Sequence, residues 1–143
     1  MRILFVDDEV EHVSTVAGVI QDALDAEVVV ARTVRDAVAA LHGSACSLVV
    51  MDIFIPMGSD AVKVLGPRAR RYEQDLEHLG GLVLLDELQR LNPQPTVLAH
   101  TACVDFELLE LMKEVVAQRV PKPAPVDVLL RAVLEALELP VPG

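Results

Sequence analysis

Leu48, Val49, Val50 and Met51 form a run without charge or glycine, which suits a strand covered on both faces inside a parallel sheet. A carboxylate follows at once. Asp52 stands where that strand should end, and Pro56, which has no N–H to give a ladder, marks the point by which pairing has stopped. Ligands of open α/β sheets bind at the carboxyl ends of the strands, so an acid there is a functional candidate; by itself it is equally a turn former.

The same device opens the chain. Residues 3–6 are apolar and run into Asp7, Asp8 and Glu9, after which Val13, Val16, Ala17, Ile20 and Leu24 mark one face of a helix. A second apolar strand over 28–31 leads to Thr33 and Asp36, an N-cap and capping box for a helix through Leu41 that Gly43 stops. After the central strand the rhythm breaks. Residues 57–79 carry Lys63, Arg68, Arg70 and Arg71 in one half and mostly acids in the other, with Pro67 placed to start a helix through Leu79 and Gly80-Gly81 to end it. Leu84, Leu85, Leu88 and Leu91 then mark a helix, 96–100 a strand ending at Thr101, and 105–118 a helix. A brief strand over 119–121 leads to Lys122-Pro123, and the stripe of Val126, Leu129, Leu130, Val133, Leu134 and Leu137 closes the series. Strict alternation of five strands with helices predicts a doubly wound parallel sheet.

Right-handed crossovers gather the strand carboxyl ends at one edge. Asp7, Asp8, Asp52, Thr101 and Lys122 all lie there. Clustered carboxylates repel unless a cation neutralises them, and an all-oxygen set suits Mg²⁺, which is commonly shared with phosphate oxygens; Lys122 and Thr101 would then serve the same phosphate. Singly, Asp7 and Asp8 read as helix N-terminal charges and Lys122 as a solvated lysine.

Composition narrows the partners. A net charge of −10, no tryptophan and four other aromatic residues disfavour direct nucleic-acid binding. No apolar run approaches the roughly 20 residues needed for membrane insertion. Cys46 and Cys103 have no metal-ligand spacing and no signal peptide accompanies them, so free thiols and a cytoplasmic location are expected. His12, His42, His78 and His100 lack short ligand spacing and read as structural.

With Leu4-Phe5-Val6-Asp7-Asp8-Glu9, Asp52 with Pro56 four residues on, Thr101-Ala102 and Lys122-Pro123 in this order, the chain resembles the receiver domain of two-component response regulators, in its stand-alone, chemotaxis-regulator-like form. The resemblance covers the chain except for about 20 residues by which 57–79 lengthens the usual loop. It implies one receiver domain over 1–143 with a flavodoxin-like sheet of order 2-1-3-4-5, helices on both faces and an insertion at about 57–79. It also implies phosphoacceptor signalling in place of enzymatic turnover. Asp52 would accept a phosphoryl group from a histidine kinase or phosphotransfer protein, and Asp8, Asp52 and the Phe54 backbone carbonyl would ligate Mg²⁺ with Asp7 acting through water. Lys122 would pair with the phosphoryl group, Thr101 would move to bond it, and the peptide before Pro123 would be cis. An output protein would read the switched surface, and a homodimer is left open.

Three departures accompany the match. Arg119 stands where the family often has a switch aromatic, Ala124 replaces another common aromatic, and the insertion offers a basic face for partner selection. A phosphorylation-independent adaptor is therefore one rival reading. A Mg²⁺-dependent phosphohydrolase is another, although an Asp-x-Asp pair after the third strand is misplaced for the haloacid-dehalogenase type.

Overall fold

The computed structural model describes residues 1–58 and 64–138. Its elements are β1 (Arg2–Val6), α1 (Val10–Leu24), β2 (Glu27–Ala31), α2 (Val34–Gly43), β3 (Leu48–Met51), α3 (Pro67–Arg71) and a 3₁₀ turn (Glu73–Asp75). Then come α4 (Gly80–Gln89), β4 (Thr96–Thr101), α5 (Phe106–Met112), β5 (Gln118–Pro121) and α6 (Val126–Ala136). The strands form one parallel sheet, as the alternation predicts, and their order β2-β1-β3-β4-β5 is the one that the resemblance implies.

The unbroken apolar strands bury both faces. Leu4 and Val6 of β1, Val49 and Met51 of β3, and Val97 and Ala99 of β4 join one core beneath α2, α4 and α5. Their neighbours Ile3, Phe5, Leu48, Val50 and Leu98 join the opposite core, under Val13, Val16 and Ile20 of α1 and Leu129 and Val133 of α6. A period of two thus divides each continuous run between two cores. The edges are blunted by Glu27 on β2 and by Arg119 and Pro121 on β5, all exposed. Thr33 caps α2 by accepting from the Asp36 N–H at 3.1 Å, and Asp105 caps α5 by accepting from the Leu108 N–H at 3.1 Å.

Three expectations change. The helix expected over 105–118 stops at Met112, because the Ala117 N–H already bonds the Val97 carbonyl at 2.8 Å and draws the chain into β5. The helix expected from Pro67 through Leu79 is broken after Arg71 and continues as a 3₁₀ turn. Gly80 and Gly81 do not end that segment but open α4. Their N–H groups bond the carbonyls of Ile55 and Ile53 at 2.9 and 3.0 Å. A Cβ would lie 2.4 Å from the Ile55 oxygen at Gly80 and 2.4 Å from the Ile53 Cα at Gly81, so close approach to the loop after β3 requires glycine.

Residues 64–79 are no detached loop. Ala69, Leu76 and Leu79 are buried in the core shared with α4 and α5. Residues 59–63, including Asp60 and Lys63, lie outside the described part, as do 139–143.

Candidate functional site

Hydrogen bonding continues past the strand ends and fixes the first two acids. The Asp7 N–H bonds Ala31 O at 2.9 Å and the Asp52 N–H bonds Val6 O at 3.0 Å. Both carboxylates then fold back on their own loops: Asp7 Oδ1 accepts from the Glu9 N–H at 2.9 Å and Asp52 Oδ1 from the Phe54 N–H at 3.0 Å. Each acid keeps Oδ2 for the centre of the site. There Lys122 Nζ lies 2.7 Å from Asp7 Oδ2, 2.9 Å from Asp52 Oδ2 and 3.2 Å from Glu9 Oε1.

Burial intensifies these contacts. The Lys122, Asp7 and Asp52 side chains are 8%, 5% and 5% exposed. Burial alone would depress the lysine pKa, but hydrogen bonds to Asp7 and Asp52 outweigh it and hold the ammonium above its ordinary range. The peptide between Lys122 and Pro123 is cis. Thr101, fully buried at the end of β4, accepts from the Cys103 N–H at 3.2 Å.

Of the residues read from the sequence, Asp7, Asp52 and Lys122 are brought into direct contact and Thr101 ends the neighbouring strand. Asp8 is exposed, and the trio whose ligand atoms lie within 4.8 Å of one another is Asp7, Glu9 and Asp52. Glu9 was present in the acidic triplet but carried no assigned role. The Phe54 side chain is 40% exposed, while Cys103 belongs to the core, where burial raises its thiol pKa.

The trio fits a divalent ion. Its donors are all oxygen, and three carboxylates facing one ammonium leave two negative charges. Among the described residues Asp7 and Asp52, with Glu9 at the rim, form a group of side chains that could hold it.

Beside this site His100, 3% exposed, presents Nδ1 to Val120 O at 2.9 Å and Nε2 to His12 Nε2 at 3.4 Å. Burial lowers the His100 pKa, and the charge of Lys122 and the neighbouring His12 lower it further against the Val120 hydrogen bond. The unfolded chain therefore takes up this proton first as pH falls. Stability is expected to be insensitive to this group well above its ordinary pKa of 6.5 and to decline below it. Urea midpoints measured above and below that value will show the decline, and His100→Asn, which keeps a donor for Val120, should reduce it.

Sheet order and site geometry together define the fold of a response-regulator receiver domain, a fold of phosphoacceptor signalling domains generally, and the structural neighbours are receiver domains. One is a CheY-like receiver domain protein from Methanospirillum hungatei JF-1, with 22% identity, a TM-score of 0.73 and coverage of 96% of this chain and 93% of that one. Another is the signal receiver domain of a putative Luxo repressor protein from Vibrio parahaemolyticus, at 20% identity and TM-score 0.72, covering 96% and 89%. NtrX from Brucella abortus matches 96% of this chain at 28% identity and TM-score 0.70, but the match spans only 26% of NtrX. No protein-family profile and no curated protein matches the sequence. Among the described residues no helix is long and apolar enough to cross a membrane.

Proposed function

We propose that the chain is a single receiver domain over 1–143, working in the cytoplasm, in which Asp52 accepts a phosphoryl group from a histidine kinase or phosphotransfer protein. The observation that carries this reading is the buried contact of Lys122 with Asp52 and Asp7 at the carboxyl edge of the sheet. An Asp52 carboxylate oxygen forms the bond to phosphorus as the phosphorus–nitrogen bond of the donor histidine breaks, its electron pair leaving on the imidazole. Lys122 turns from the carboxylate to the new phosphoryl oxygens, and the Thr101 hydroxyl, which only accepts from Cys103 in this state, has its proton free to donate to them. Asp7, Asp52 and the Phe54 backbone carbonyl would hold Mg²⁺, with Glu9 or the exposed Asp8 completing the rim. When bound, the ion supplies charge neutralisation to the transferred group.

Incubation with a small acyl phosphate, followed by intact-mass measurement, tests this. One phosphoryl group should be added with Mg²⁺ present and none after chelation or in Asp52→Ala; addition that survives both controls assigns the chemistry elsewhere.

Dephosphorylation should be slow. The residue two after the acceptor flanks the path of the attacking water in the family, and here it is Phe54, half-exposed and without a polar group to orient that water. Phe54→Asn is expected to shorten the lifetime of the phosphorylated form several-fold, as phosphate release will measure.

One observation favours the adaptor reading. Arg119 is exposed and donates from Nη1 to the Cys103 carbonyl at 3.3 Å, so the position of the family's switch aromatic holds a loop tether. The tether lies beside an exposed apolar surface that includes Val104 and Phe106, suited to an output protein or a second copy. Partner binding that is identical for wild type and Asp52→Asn would establish the adaptor.

A further inference from the structure

We propose that His12 and His100 form a hydrogen-bonded brace whose task is to position Lys122 against Asp52 and Asp7. Neither imidazole takes part in the chemistry proposed above. The placement of Lys122 stands without that reading, and only the effect on phosphoryl transfer rests on it. The two histidines are 88 residues apart in sequence, but their rings meet head-on, with Nε2 atoms 3.4 Å apart, centroids 5.7 Å apart and planes inclined by 35°. A carbonyl oxygen only accepts, so the 2.9 Å contact with Val120 O fixes a proton on His100 Nδ1. Neutral His100 then offers Nε2 as an acceptor, and His12 donates to it from its own Nε2. One chain of hydrogen bonds therefore runs from α1 through β4 to a carbonyl of β5.

The end point of this chain gives the pair its role. Val120 stands two residues before Lys122, and the Lys122 N–H is itself held by Thr101 O at 3.1 Å. Consecutive residues of β4, His100 by its side chain and Thr101 by its carbonyl, thus grip the backbone that carries Lys122 at two points. A stem fixed in this way delivers Nζ to Asp7 Oδ2 at 2.7 Å and Asp52 Oδ2 at 2.9 Å. Packing alone does not call for imidazoles here. His100 is 3% exposed, and the neighbouring core is built of Val13 and Val16 from α1, Leu98 from β4 and Leu129 and Val133 from α6. Buried polar rings in such a core need each other and the Val120 carbonyl as partners, whereas two apolar side chains would fill the space with no such need.

A buried ammonium exchanges its protons slowly with water, so heteronuclear NMR of the labelled full-length chain near neutral pH reads the placement of Lys122 directly. His100→Leu removes the donor to Val120 O and should raise the exchange rate of the Lys122 ammonium severalfold. His100→Asn keeps that donor and should retain the protection. In the same way His12→Leu should loosen Lys122, while His12→Gln, which can still donate to His100, should not. Circular dichroism and urea midpoints establish that the variants remain folded. With a small acyl phosphate and Mg²⁺, His100→Leu should accept the phosphoryl group roughly tenfold more slowly than wild type, the scale of a misplaced group at a reacting centre, and His100→Asn should recover most of that loss. Unchanged protection of Lys122 in His100→Leu would overturn the brace, as would equal loss in His100→Asn and His100→Leu. Equal behaviour of His12→Leu and His12→Gln would overturn the part of His12 in it. If protection changes as expected but wild type takes up no phosphoryl group, or His100→Leu takes it up at the wild-type rate, the acceptor role of this edge is struck and the positioning of Lys122 stands.

Discussion

Lys122→Met is expected to destabilise the protein by about 3 kcal/mol in the absence of divalent ions, and added Mg²⁺ is expected to recover much of that loss. The methionine keeps the volume and removes the charge. Asp7 and Asp52 then face each other at 5% exposure each, with their ligand oxygens within 4.8 Å. At an effective dielectric of about 20, two unit charges at that separation repel by roughly 3 kcal/mol. Glu9 adds less, because it lies largely in water. If the ammonium and a divalent ion occupy the same carboxylates, Mg²⁺ should raise the urea midpoint of Lys122→Met more than that of wild type, since in the variant no lysine has to be displaced. Equal stabilisation of the two proteins would show that the ion and the lysine do not share these ligands. The comparison separates the neutralising of the clustered carboxylates by Lys122 from its proposed contact with the phosphoryl group, because the first is read from folding alone.

Most of the fold was legible because two rules act over short range. Strands of four to six residues with apolar centres, set between helical stripes, read as buried parallel strands, and the acids and lysine at their ends mark the edge on which a ligand would sit. Asp7, Asp52, Thr101 and Lys122 are found at those ends for that reason. Distances within the edge were not legible. Adjacent Asp7 and Asp8 look alike in sequence, but only Asp7 points inward to Lys122, and the inward turn depends on its Oδ1 bond to the Glu9 N–H. Gly80 and Gly81 misled in the opposite direction. Read locally, a glycine pair ends a helix; here the constraint is the backbone of Ile53 and Ile55, more than 20 residues earlier, which leaves no space for a Cβ. His12 and His100 show the same limit, since neither has a neighbour in sequence that announces the other.

The basic residues of 64–79 are the clearest case in which sequence and structure differ, and they carry the second large effect. Arg68, Arg70 and Arg71 read as one exposed face for partner docking. Arg68 instead points inward, with its side chain 7% exposed. Its Nε donates to Leu111 O at 2.7 Å, Nη1 to Asp86 Oδ1 at 2.9 Å and to Gln89 Oε1 at 2.7 Å, and Nη2 to Glu114 Oε2 at 3.3 Å. Asp86, 2% exposed at its side chain, completes the network by accepting from the Ala69 N–H at 3.1 Å. One guanidinium therefore ties α3 to α4 and to the end of α5. Arg68→Ala is expected to cost about 3–5 kcal/mol, because it leaves a buried carboxylate without its counter-charge. Arg70→Ala, at an exposed position, should change stability by no more than about 0.5 kcal/mol. Arg71→Ala should cost less than about 1 kcal/mol, because its pair with Glu107 is more than half exposed on both sides. Urea unfolding of the three variants decides between a structural and a docking role, and Arg68→Met with Asp86→Leu should recover most of the loss, since an apolar pair needs no counter-charge. Equal, small losses in all three would return Arg68 to the surface. On the expected result, shortening the segment would remove Ala69, Leu76 and Leu79 from the core and strand Asp86, so a partner-selecting role rests on Arg70 and Arg71 alone among the described basic residues of the segment.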